Sequence, residues 1–427
     1  MNQVINVLVF PCGSEPGTEI GLALQRSVHV KLFGASSVED HGRFVFDNYI
    51  GGLPRIHDAA FEESLRELIA THRIDVVFAT HDTVSLHLAG LAQKLGFYLV
   101  NGDAETARIC RSKRRTYAAL ADAPWLPRMY DATVPAEEFP VIAKPDMGQG
   151  GVGVRLIRDA VELAQVPERD DCVVVEYLPG AEITVDCFTD WQRELVWVGP
   201  RTRDRVRAGI TMRSEFLAPD DTIRAIAAAI NARLVMRGPW FFQLKRDRQG
   251  EWKLLEVSCR IAGTMVAQRG RGVNLPLMAI QDYLQRKQTT LPLQDVRLVD
   301  RRIVTKAAFD YAFDTVVMDY DDTIVAPATG RAFPEVMAFL YRMIEAGKRI
   351  VLVTRHAGEL AESLAAAHVS PSLFAEIVHL RAGERKSDYV GPRSIFVDNH
   401  FPERKEVADI HGCPVFDVDT LSLIHWG

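Results

Sequence analysis

Two aspartates stand two residues apart where an apolar stretch ends, late in the chain. The stretch VVMDYDDTIV contains Asp319 and Asp321, and Thr323 follows two positions later. Carboxylates at a strand end can serve as a nucleophile and as a general acid or base, because one attacks while the other moves a proton. The spacing therefore predicts phosphoryl chemistry. The alternative, if the aspartates are considered without the rest of the chain, is a structural role in a turn or at a helix N-cap.

A lysine and a glycine-rich loop form a second chemical pattern, in the middle of the chain. Lys144 ends the apolar part of FPVIAKPDMGQGGVGV, and Gly148, Gly150, Gly151 and Gly153 follow. Glycines let backbone N–H groups approach phosphate oxygens without a side-chain clash, and the lysine adds positive charge. The pattern predicts a nucleotide-phosphate site. Glycines also serve ordinary hairpins, which is the alternative.

A strand-to-loop segment with two acidic residues follows in VVVEYLPGAEITVD. Glu176 precedes Tyr177 and Leu178, and Glu182 comes after Gly180. Backbone groups in such a segment can bind the edge of an adenine ring, and a carboxylate can accept hydrogen bonds from ribose hydroxyls. The segment is therefore a candidate for the rest of an ATP site.

Basic residues cluster in RTRDRVR and just beyond it. Arg203, Arg205 and Arg213 predict a site for a phosphate or an acidic substrate, and a solvated strand face is the alternative. The Gly13–Gly17 loop and Asp82 follow the first and third predicted strands. Because ligands bind at the carboxyl ends of parallel strands, we expect both to line an acceptor site. An ordinary structural turn is the alternative for Gly13 and Gly17.

Three regions of secondary structure must position these residues. Residues 1–104 alternate short apolar strands with helices, which predicts a parallel, doubly wound sheet. Residues 105–298 are typical of mixed α+β structure, with a hairpin at RDRQGEW. Residues 306–427 alternate strands and helices again, which predicts a second parallel sheet. The length of 427 residues agrees with an α/β protein of two or three folding units.

Composition narrows the class of protein. Charged residues make up 25% and the net charge is -6, which favours a soluble globular protein and argues against nucleic-acid binding. The six cysteines form no CxxC pair, so free thiols in a reducing compartment are expected. No apolar stretch is long enough for a membrane span, so we expect a cytoplasmic protein without membrane association.

Residues of roughly 1–295 resemble the ATP-grasp superfamily, particularly the branch of carbamoyl phosphate synthetase halves and carboxylate–amine ligases. The motifs occur in the same order over the whole middle region. The resemblance implies a Rossmann-like pre-ATP-grasp domain followed by an ATP-grasp α+β fold. It also implies ATP and Mg²⁺ as cofactors, with Mn²⁺ as an alternative metal.

The resemblance implies nucleotide contacts for a set of residues in three motifs. Two lysines would bind the nucleotide phosphates, a three-residue hinge would contact adenine and a glutamate would contact ribose. These residues are Lys113 of RSKRRTY with Lys144, then Glu176, Tyr177 and Leu178, and Glu182.

The last motif of the resemblance departs from the usual pattern. Gln243 of FFQLK and Glu256 of LLEVSCR match magnesium-holding positions, and Arg260 matches the arginine that faces the transferred phosphate. The motif usually reads E-x-N-P-R, but here Ser258 replaces the asparagine and Cys259 the proline. Serine binds magnesium more weakly or through water. Either a second metal is held differently or the ATP site is altered.

The C-terminal region resembles the haloacid dehalogenase superfamily through D-x-D-x-T. The resemblance implies that Asp319 is a nucleophile and that Asp321 is a general acid or base. It also implies that Thr354 of RIVLVTR binds phosphate, that Lys386 of GERKSDYV stabilises the intermediate and that Asp398 of SIFVDN joins the two aspartates in holding magnesium.

The same region leaves little room for a cap over its site. About thirty residues separate Thr323 from Thr354, so a capless Rossmann-like fold is expected. Asn399 stands where many relatives have a second aspartate, and Glu403 is a candidate supporting acid. An open site suits a bulky substrate or one that is completed by a neighbouring domain.

The leading hypothesis is a bifunctional enzyme. An ATP-dependent carboxylate–amine ligase would be fused to a magnesium-dependent phosphatase that acts on a phosphate ester of the same pathway. Its partners would be a small carboxylate, an amine and a phosphate ester, with a homodimer as a further expectation. The alternatives are a small-molecule kinase, a carbamoyl-phosphate-like synthase, or an ATP-binding regulator with impaired turnover, which Ser258 favours.

Overall fold

The structure is a computed structural model that describes residues 4–100, 103–131, 133–148, 150–166, 171–326 and 328–426. The chain divides into two units, residues 1–302 and residues 303–427, called unit 1 and unit 2 below. The finer boundary predicted at residue 104 stays a prediction. Among the described residues, no helix combines the length and the apolar character needed to cross a membrane.

A five-stranded parallel sheet opens unit 1, in the order β3-β2-β1-β4-β5. Its strands are β1 Ile5–Phe10, β2 Val30–Ala35, β3 Asn48–Ile50, β4 Val76–Ala79 and β5 Tyr98–Leu99. Its helices are α1 Glu15–Leu24, α2 Phe61–His72 and α3 Asp82–Leu95. The three-residue strand β3 was not predicted.

Strand β1 is buried on both faces, as a central parallel strand should be. Val7 and Val9 pack in the same cluster as Ile20 of α1. Leu8 and Phe10 alternate to the opposite cluster, which contains α2. Because β1 pairs with β2 on one side and β4 on the other, the loops after β1 and β4 meet at the point where the strand order reverses.

The next segment forms a small antiparallel sheet in the order β6-β9-β7-β8. It comprises α4 Ala104–Arg111, α5 Lys113–Ala119, β6 Met129–Tyr130, β7 Val141–Pro145, β8 Arg155–Ile157, α6 Ala160–Ala164 and β9 Cys172–Glu176. The single helix that the sequence predicts near residue 112 is two helices. Ser112 has extended backbone there, and its hydroxyl caps α5 by accepting a hydrogen bond from the Arg115 amide.

The central antiparallel sheet of unit 1 has the order β11-β10-β14-β15. The elements of this part are β10 Glu182–Thr189, β11 Leu195–Thr202, β12 Arg205–Arg207, β13 Ile210–Glu215, α7 Asp221–Arg233, β14 Gly238–Arg246, β15 Trp252–Ser258, α8 Leu275–Tyr283 and β16 Leu298–Asp300. Helix α7 packs Ile226 and Ile230 against Val185 and Phe242 of one sheet face. The opposite face carries Thr184 and Gln243, which alternate with those apolar residues.

Unit 2 is built on a second parallel sheet, in the order β21-β20-β17-β22-β23. Its elements are β17 Thr315–Met318, β18 Val325–Ala326, β19 Arg331–Ala332, α9 Pro334–Glu345, β20 Arg349–Thr354, α10 Leu360–Ala366, β21 Glu376–His379, β22 Ser394–Val397, α11 Phe401–His411 and β23 Val415–Phe416. The three central strands end at or just before Asp319, Thr354 and Asp398, so these side chains meet at one edge.

Candidate functional site

Four polar side chains form a row across the central sheet of unit 1. Arg201 on β11 lies opposite Thr184 on β10, Thr184 lies opposite Gln243 on β14, and Gln243 lies opposite Glu256 on β15. Directly opposed residues point to the same sheet face. The row therefore lies on the face that α7 leaves uncovered.

A β-bulge ties this row to a buried lysine. Gln243 pairs with Glu256 and Leu244 pairs with Leu254, so Leu255 is an extra residue on β15. The Leu255 carbonyl accepts hydrogen bonds from Lys144 Nζ at 3.2 Å and from the Tyr117 hydroxyl at 2.9 Å. Burial lowers the pKa of Lys144 to about 8, although the carboxylates of Glu256 and Glu182 oppose the shift.

A cavity of about 530 Å³ lies between the small sheet and the central sheet, called the nucleotide cavity below. It brings together the residues that the sequence predicted for nucleotide binding, except Gly153 of the glycine loop. Its lining includes Lys113, Lys144, Gly148, Gly150, Gly151, Glu176, Tyr177, Leu178 and Glu182.

Several of these side chains already have partners within the protein. Lys113 Nζ donates to the carbonyl oxygens of Pro145 and Gly148, at 3.0 and 3.3 Å, so it holds the glycine loop by its backbone. Glu176 Oε1 accepts from the Arg128 amide at 2.8 Å. Burial lowers the pKa of Lys113, with Glu256 opposing the shift.

The carboxylate predicted to contact ribose is neutralised by two cations. Glu182 Oε1 lies 2.6 Å from Arg203 Nε, and Glu182 Oε2 lies 3.5 Å from Lys245 Nζ. Arg203 also donates to the Thr211 hydroxyl at 2.9 Å. Arg203 is thus held at the boundary of the nucleotide cavity by hydrogen bonds.

A second cavity, of about 310 Å³, adjoins the first and is called the acceptor cavity below. Its lining includes Asp82, Arg201 and Arg260. The side chains that line both cavities include Lys113, Arg203, Gln243 and Glu256. A group transferred from one cavity to the other would pass these residues.

Asp82 contacts both Ser258 and Arg260 of the unusual EVSCR motif. Its Oδ2 lies 2.7 Å from Arg260 Nη2, and its Oδ1 accepts from the Ser258 hydroxyl at 2.7 Å. Ser258 therefore orients Asp82 instead of standing as an open metal ligand. Burial alone would raise the pKa of Asp82, but the charge of Arg260 and the hydrogen bonds from Arg260 and Ser258 outweigh burial and hold that pKa below its usual range.

Two arginines predicted as substrate contacts do not reach either cavity in the described structure. Arg205 and Arg213 lie on the β12–β13 hairpin with half-exposed side chains, and both pair with Asp300. The pairing explains their position, because Arg213 and Asp300 are direct neighbours in the β13–β16 register. Of the Gly13–Gly17 loop, Ser14, Glu15 and Pro16 line the acceptor cavity.

Sequence reasoning missed Arg201. Its guanidinium forms a buried pair with Asp186, at 2.8 Å between Nε and Oδ2. Nothing local in GPRTRDR distinguishes it from the arginines beside it. Only the strand register places it in the row with Glu256.

In unit 2, Lys386 bridges two aspartates at the carboxyl edge of the sheet. Its Nζ lies 2.9 Å from Asp319 Oδ2 and 2.7 Å from Asp398 Oδ2. Asp319 Oδ1 and Thr354 Oγ1 are buried without a hydrogen-bond partner in the described part of this unit. Burial raises the pKa of Asp319, Lys386 opposes the shift and Asp398 adds to it.

Asp321 is held by a histidine that the sequence did not single out. His356 Nδ1 lies 3.0 Å from both carboxylate oxygens of Asp321, and His356 Nε2 lies 2.7 Å from Ser363 Oγ. Its place two residues after Thr354 is a local signal that could have found it. Glu403 pairs with Arg355, which occupies the carboxylate expected to support the metal.

Neither unit presents a complete metal cage. Across the described ranges, no group of three or more His, Cys, Asp or Glu side chains is placed to hold a metal ion. In unit 1 the donors are the Glu256 carboxylate and the Gln243 amide oxygen. That set fits a magnesium ion carried by nucleotide phosphates, since Mg²⁺ is usually bound by one or two carboxylates plus the substrate. In unit 2 a metal would share Asp319 and Asp398 with Lys386.

Comparisons with known families match the middle of the chain. Residues 110–214 match the ATP-grasp domain, and residues 168–305 match a family described as ATP-grasp in the biosynthetic pathway with Ter operon. Neither match extends into residues 306–427. A search of curated protein sequences gives no significant match.

Solved structures share the fold at low sequence identity. N5-carboxyaminoimidazole synthetase from Staphylococcus aureus, complexed with ADP, has a TM-score of 0.56 at 15% identity, over 69% of this chain and 80% of that chain. The L-amino acid ligase from Bacillus licheniformis has a TM-score of 0.55 at 18% identity, over 67% and 76%.

A third similar structure is the biotin carboxylase domain dimer of Hydrogenobacter thermophilus 2-oxoglutarate carboxylase, in complex with MgADP, ADP and bicarbonate. It has a TM-score of 0.55 at 16% identity, over 70% of this chain and 73% of that chain. Together with the family matches, these structures confirm the predicted ATP-grasp domain in unit 1.

Proposed function

We propose that unit 1 is an ATP-dependent carboxylate–amine ligase that works through an acyl phosphate. The observation that carries the proposal is the meeting of the nucleotide and acceptor cavities at Lys113, Gln243 and Glu256. ATP bound in the larger cavity would direct its terminal phosphate toward this boundary. A carboxylate bound in the smaller cavity would approach the same place.

The residues at the boundary suit the first step of that reaction. An acid oxygen attacks the terminal phosphorus, the bond between the last two phosphates breaks, and ADP leaves. Lys144 and Lys113 place positive charge beside the phosphates, and Arg260 faces the transferred group once Asp82 releases it. Magnesium held by Glu256 and Gln243 would neutralise phosphate charge when bound.

The second step joins the two substrates. The amine nitrogen attacks the acyl carbon, phosphate leaves, and the nitrogen loses a proton to form the amide. The L-amino acid ligase among the similar structures supports this class of reaction, and the neighbours complexed with ADP support the use of ATP. A homodimer is part of the proposal, because one similar structure is described as a dimer.

The test is ADP release by the full chain with a panel of acids and amines. We expect release that needs both an acid and an amine, and that falls at least a hundredfold in Glu256→Gln. The exposed variant Glu251→Gln is the matched control. If ATP binds but no acid and amine pair stimulates ADP release, unit 1 is a nucleotide-binding regulator and the ligase proposal fails.

We also propose that unit 2 is a phosphatase of the haloacid dehalogenase type. The supporting observation is that Lys386 holds Asp319 Oδ2 while Asp319 Oδ1 has no partner among the described residues. Oδ1 would attack a phosphate ester, forming an aspartyl phosphate as the ester P–O bond breaks. Asp321 would give a proton to the leaving oxygen and later take one from the attacking water.

Hydrolysis of p-nitrophenyl phosphate by the full chain with Mg²⁺ tests this proposal. Asp319→Asn should lower turnover at least a thousandfold while the melting temperature stays within a few degrees. Asp314→Asn removes an exposed carboxylate that pairs with Arg393, so it serves as the control. Equal turnover in Asp319→Asn and the wild type would contradict the assignment.

A further inference from the structure

Arg201 is a buried arginine of the acceptor cavity that the proposed ligase steps leave unused. Its Nε and Nη2 donate to the two carboxylate oxygens of Asp186, at 2.8 and 3.2 Å. The residue is 1% exposed. Its Nη1 has no hydrogen-bond partner within the part of the chain that the structure describes.

The ion pair between Arg201 and Asp186 is itself held in place by a glutamine. Gln268 Nε2 donates to Asp186 Oδ2 at 3.0 Å and to the Gly199 carbonyl at 3.3 Å. The guanidinium therefore cannot turn its free edge toward Asp186 without breaking a buried bidentate contact. A buried N–H of a cation that lacks an acceptor is costly, so a ligand that supplies an acceptor recovers that cost.

Arg201 is one of the residues that line the acceptor cavity. Arg201 and Thr184 both line that cavity, and they are direct neighbours on the uncovered sheet face. The Thr184 hydroxyl accepts a long hydrogen bond from Arg203 Nη1, at 3.4 Å, and can still donate its own proton. Arg201 and the opposite Thr184 thus offer two donors, which suit the two oxygens of a carboxylate.

Arg201 lies far along the sheet from Glu256, where the reacting carboxylate would meet the terminal phosphate. Strands β11 and β15 are three strand spacings apart, so the Cα atoms of Arg201 and Glu256 are about 14 Å from each other. A carboxylate bound at Arg201 is therefore distinct from the carboxylate that meets the terminal phosphate near Glu256.

We propose that one of the two ligase substrates carries a second, non-reacting carboxylate, which Arg201 binds through Nη1 with help from Thr184. The inference rests on the proposed ligase function and adds the substrate class. The substrate is either a dicarboxylic acid, which reacts at its other end, or an amino acid, which reacts at its amine.

Binding of carboxylates and of their matched amides distinguishes a dicarboxylic acid substrate from an amino acid substrate. The full chain is loaded with Mg²⁺ and ADP, and binding is measured calorimetrically. One series compares malonate, succinate and glutarate with their monoamides, and the other compares glycine, alanine and glutamate with their α-amides. We expect at least a tenfold preference for the free carboxylate in one series, and that series identifies the substrate. A preference below twofold in both series overturns the proposal.

Variants link the preference to Arg201. In Arg201→Met we expect the preference to fall below twofold, whereas Arg205→Met on the exposed hairpin should retain it. If Arg201→Met does not fold, the double variant Arg201→Met/Asp186→Leu removes both buried charges and gives the same comparison. Retention of the preference without Arg201 overturns the assignment.

Different experimental results would overturn the ligase proposal and the proposal of a carboxylate site at Arg201. A carboxylate preference without ADP release from any pair of substrates overturns the ligase and supports the Arg201 site. ADP release from substrates that have no second carboxylate overturns the inference and supports the ligase.

Discussion

The carboxylate of Asp82 lies 2.7 Å from the guanidinium of Arg260, although 178 positions separate them in the chain. Asp82 begins α3 beside the parallel sheet, and Arg260 follows β15 of the central sheet. The arginine expected to face the transferred phosphate thus has a carboxylate partner within the protein. In the proposed reaction, Asp82 and the transferred phosphate would compete for this cation.

Neutralising Asp82 should strengthen nucleotide binding. In Asp82→Asn the amide still bonds Ser258, but Arg260 loses its counter-charge, so we expect about tenfold tighter binding of a non-hydrolysable ATP analogue by calorimetry. The free energy of unfolding of the ligand-free chain should fall by about 2 kcal/mol. Asp300→Asn, which breaks only the exposed pairs with Arg205 and Arg213, is the control. Unchanged or weaker binding in Asp82→Asn would rule out the competition.

ATP binding should depend on pH through Lys144. Because its pKa in the folded chain is about 8, the ammonium is lost above that pH and affinity for ATP should fall. Phosphate favours the charged form, so binding above pH 8 should take up a proton, measurable by calorimetry in buffers of different ionisation enthalpy. Lys144→Arg keeps its charge and should show neither effect. A flat wild-type profile up to pH 10 would be inconsistent with the shift.

The same pKa makes a prediction about stability. Lysine titrates at 10.5 when unperturbed, so folding lowers the pKa of Lys144 and disfavours its charged form. That cost is present in full below pH about 8 and is lost as the pH rises toward 10.5. The free energy of unfolding of the wild type, relative to Lys144→Met, should therefore rise between these pH values. Denaturant titrations at pH 7 and at pH 10 measure the difference.

Much of the fold of this chain could be predicted from the periodic spacing of its apolar residues. FEESLRELIATHR and TIRAIAAAINARL place apolar residues at helical spacing, and both form helices, α2 and α7. The RDRQGEW hairpin joins β14 and β15 as predicted. Short elements such as β3 and the β18–β19 hairpin were missed, because two or three residues carry no periodicity.

The site was only partly predictable, since local motifs name residue types but not their partners. The residues of the nucleotide cavity follow from the lysine, glycine-loop and hinge motifs. Arg201 and the engagement of Ser258 by Asp82 depend on strand register and on contacts over long sequence separations. Arg205 shares its motif with Arg203 and Arg213 lies just beyond it, yet both are on the β12–β13 hairpin and pair with Asp300.

A second carboxylate beside Glu256 should change the magnesium requirement. Gln243→Glu places that carboxylate directly opposite Glu256, and magnesium affinity rises with ligand charge. We expect the Mg²⁺ concentration for half-maximal ADP release to fall about tenfold. Gln249→Glu in the exposed turn of the same hairpin is the matched control. No change in the Mg²⁺ requirement would remove position 243 from the metal site.

His356 should act on the phosphatase reaction by positioning Asp321. In His356→Asn the contact with the carboxylate is weakened, so kcat for p-nitrophenyl phosphate should fall about tenfold to a hundredfold with KM within twofold. His368→Asn, an exposed position that tolerates asparagine at its positive φ of 57°, is the control. If kcat is unaffected in His356→Asn, or if KM alone changes, His356 does not orient the proton donor.

The extra residue in β15 has a consequence for mutagenesis. The Leu255 group that anchors Lys144 and Tyr117 is a main-chain carbonyl, so no side-chain replacement at that position deletes it. Alanine scanning would show no loss of this contact at residue 255 and would assign its effect to Lys144 alone. Deleting the residue, in contrast, would remove the bulge and shift one side of β15 to the opposite face. Insertions and deletions, and not substitutions, are therefore the changes to which this anchor is sensitive.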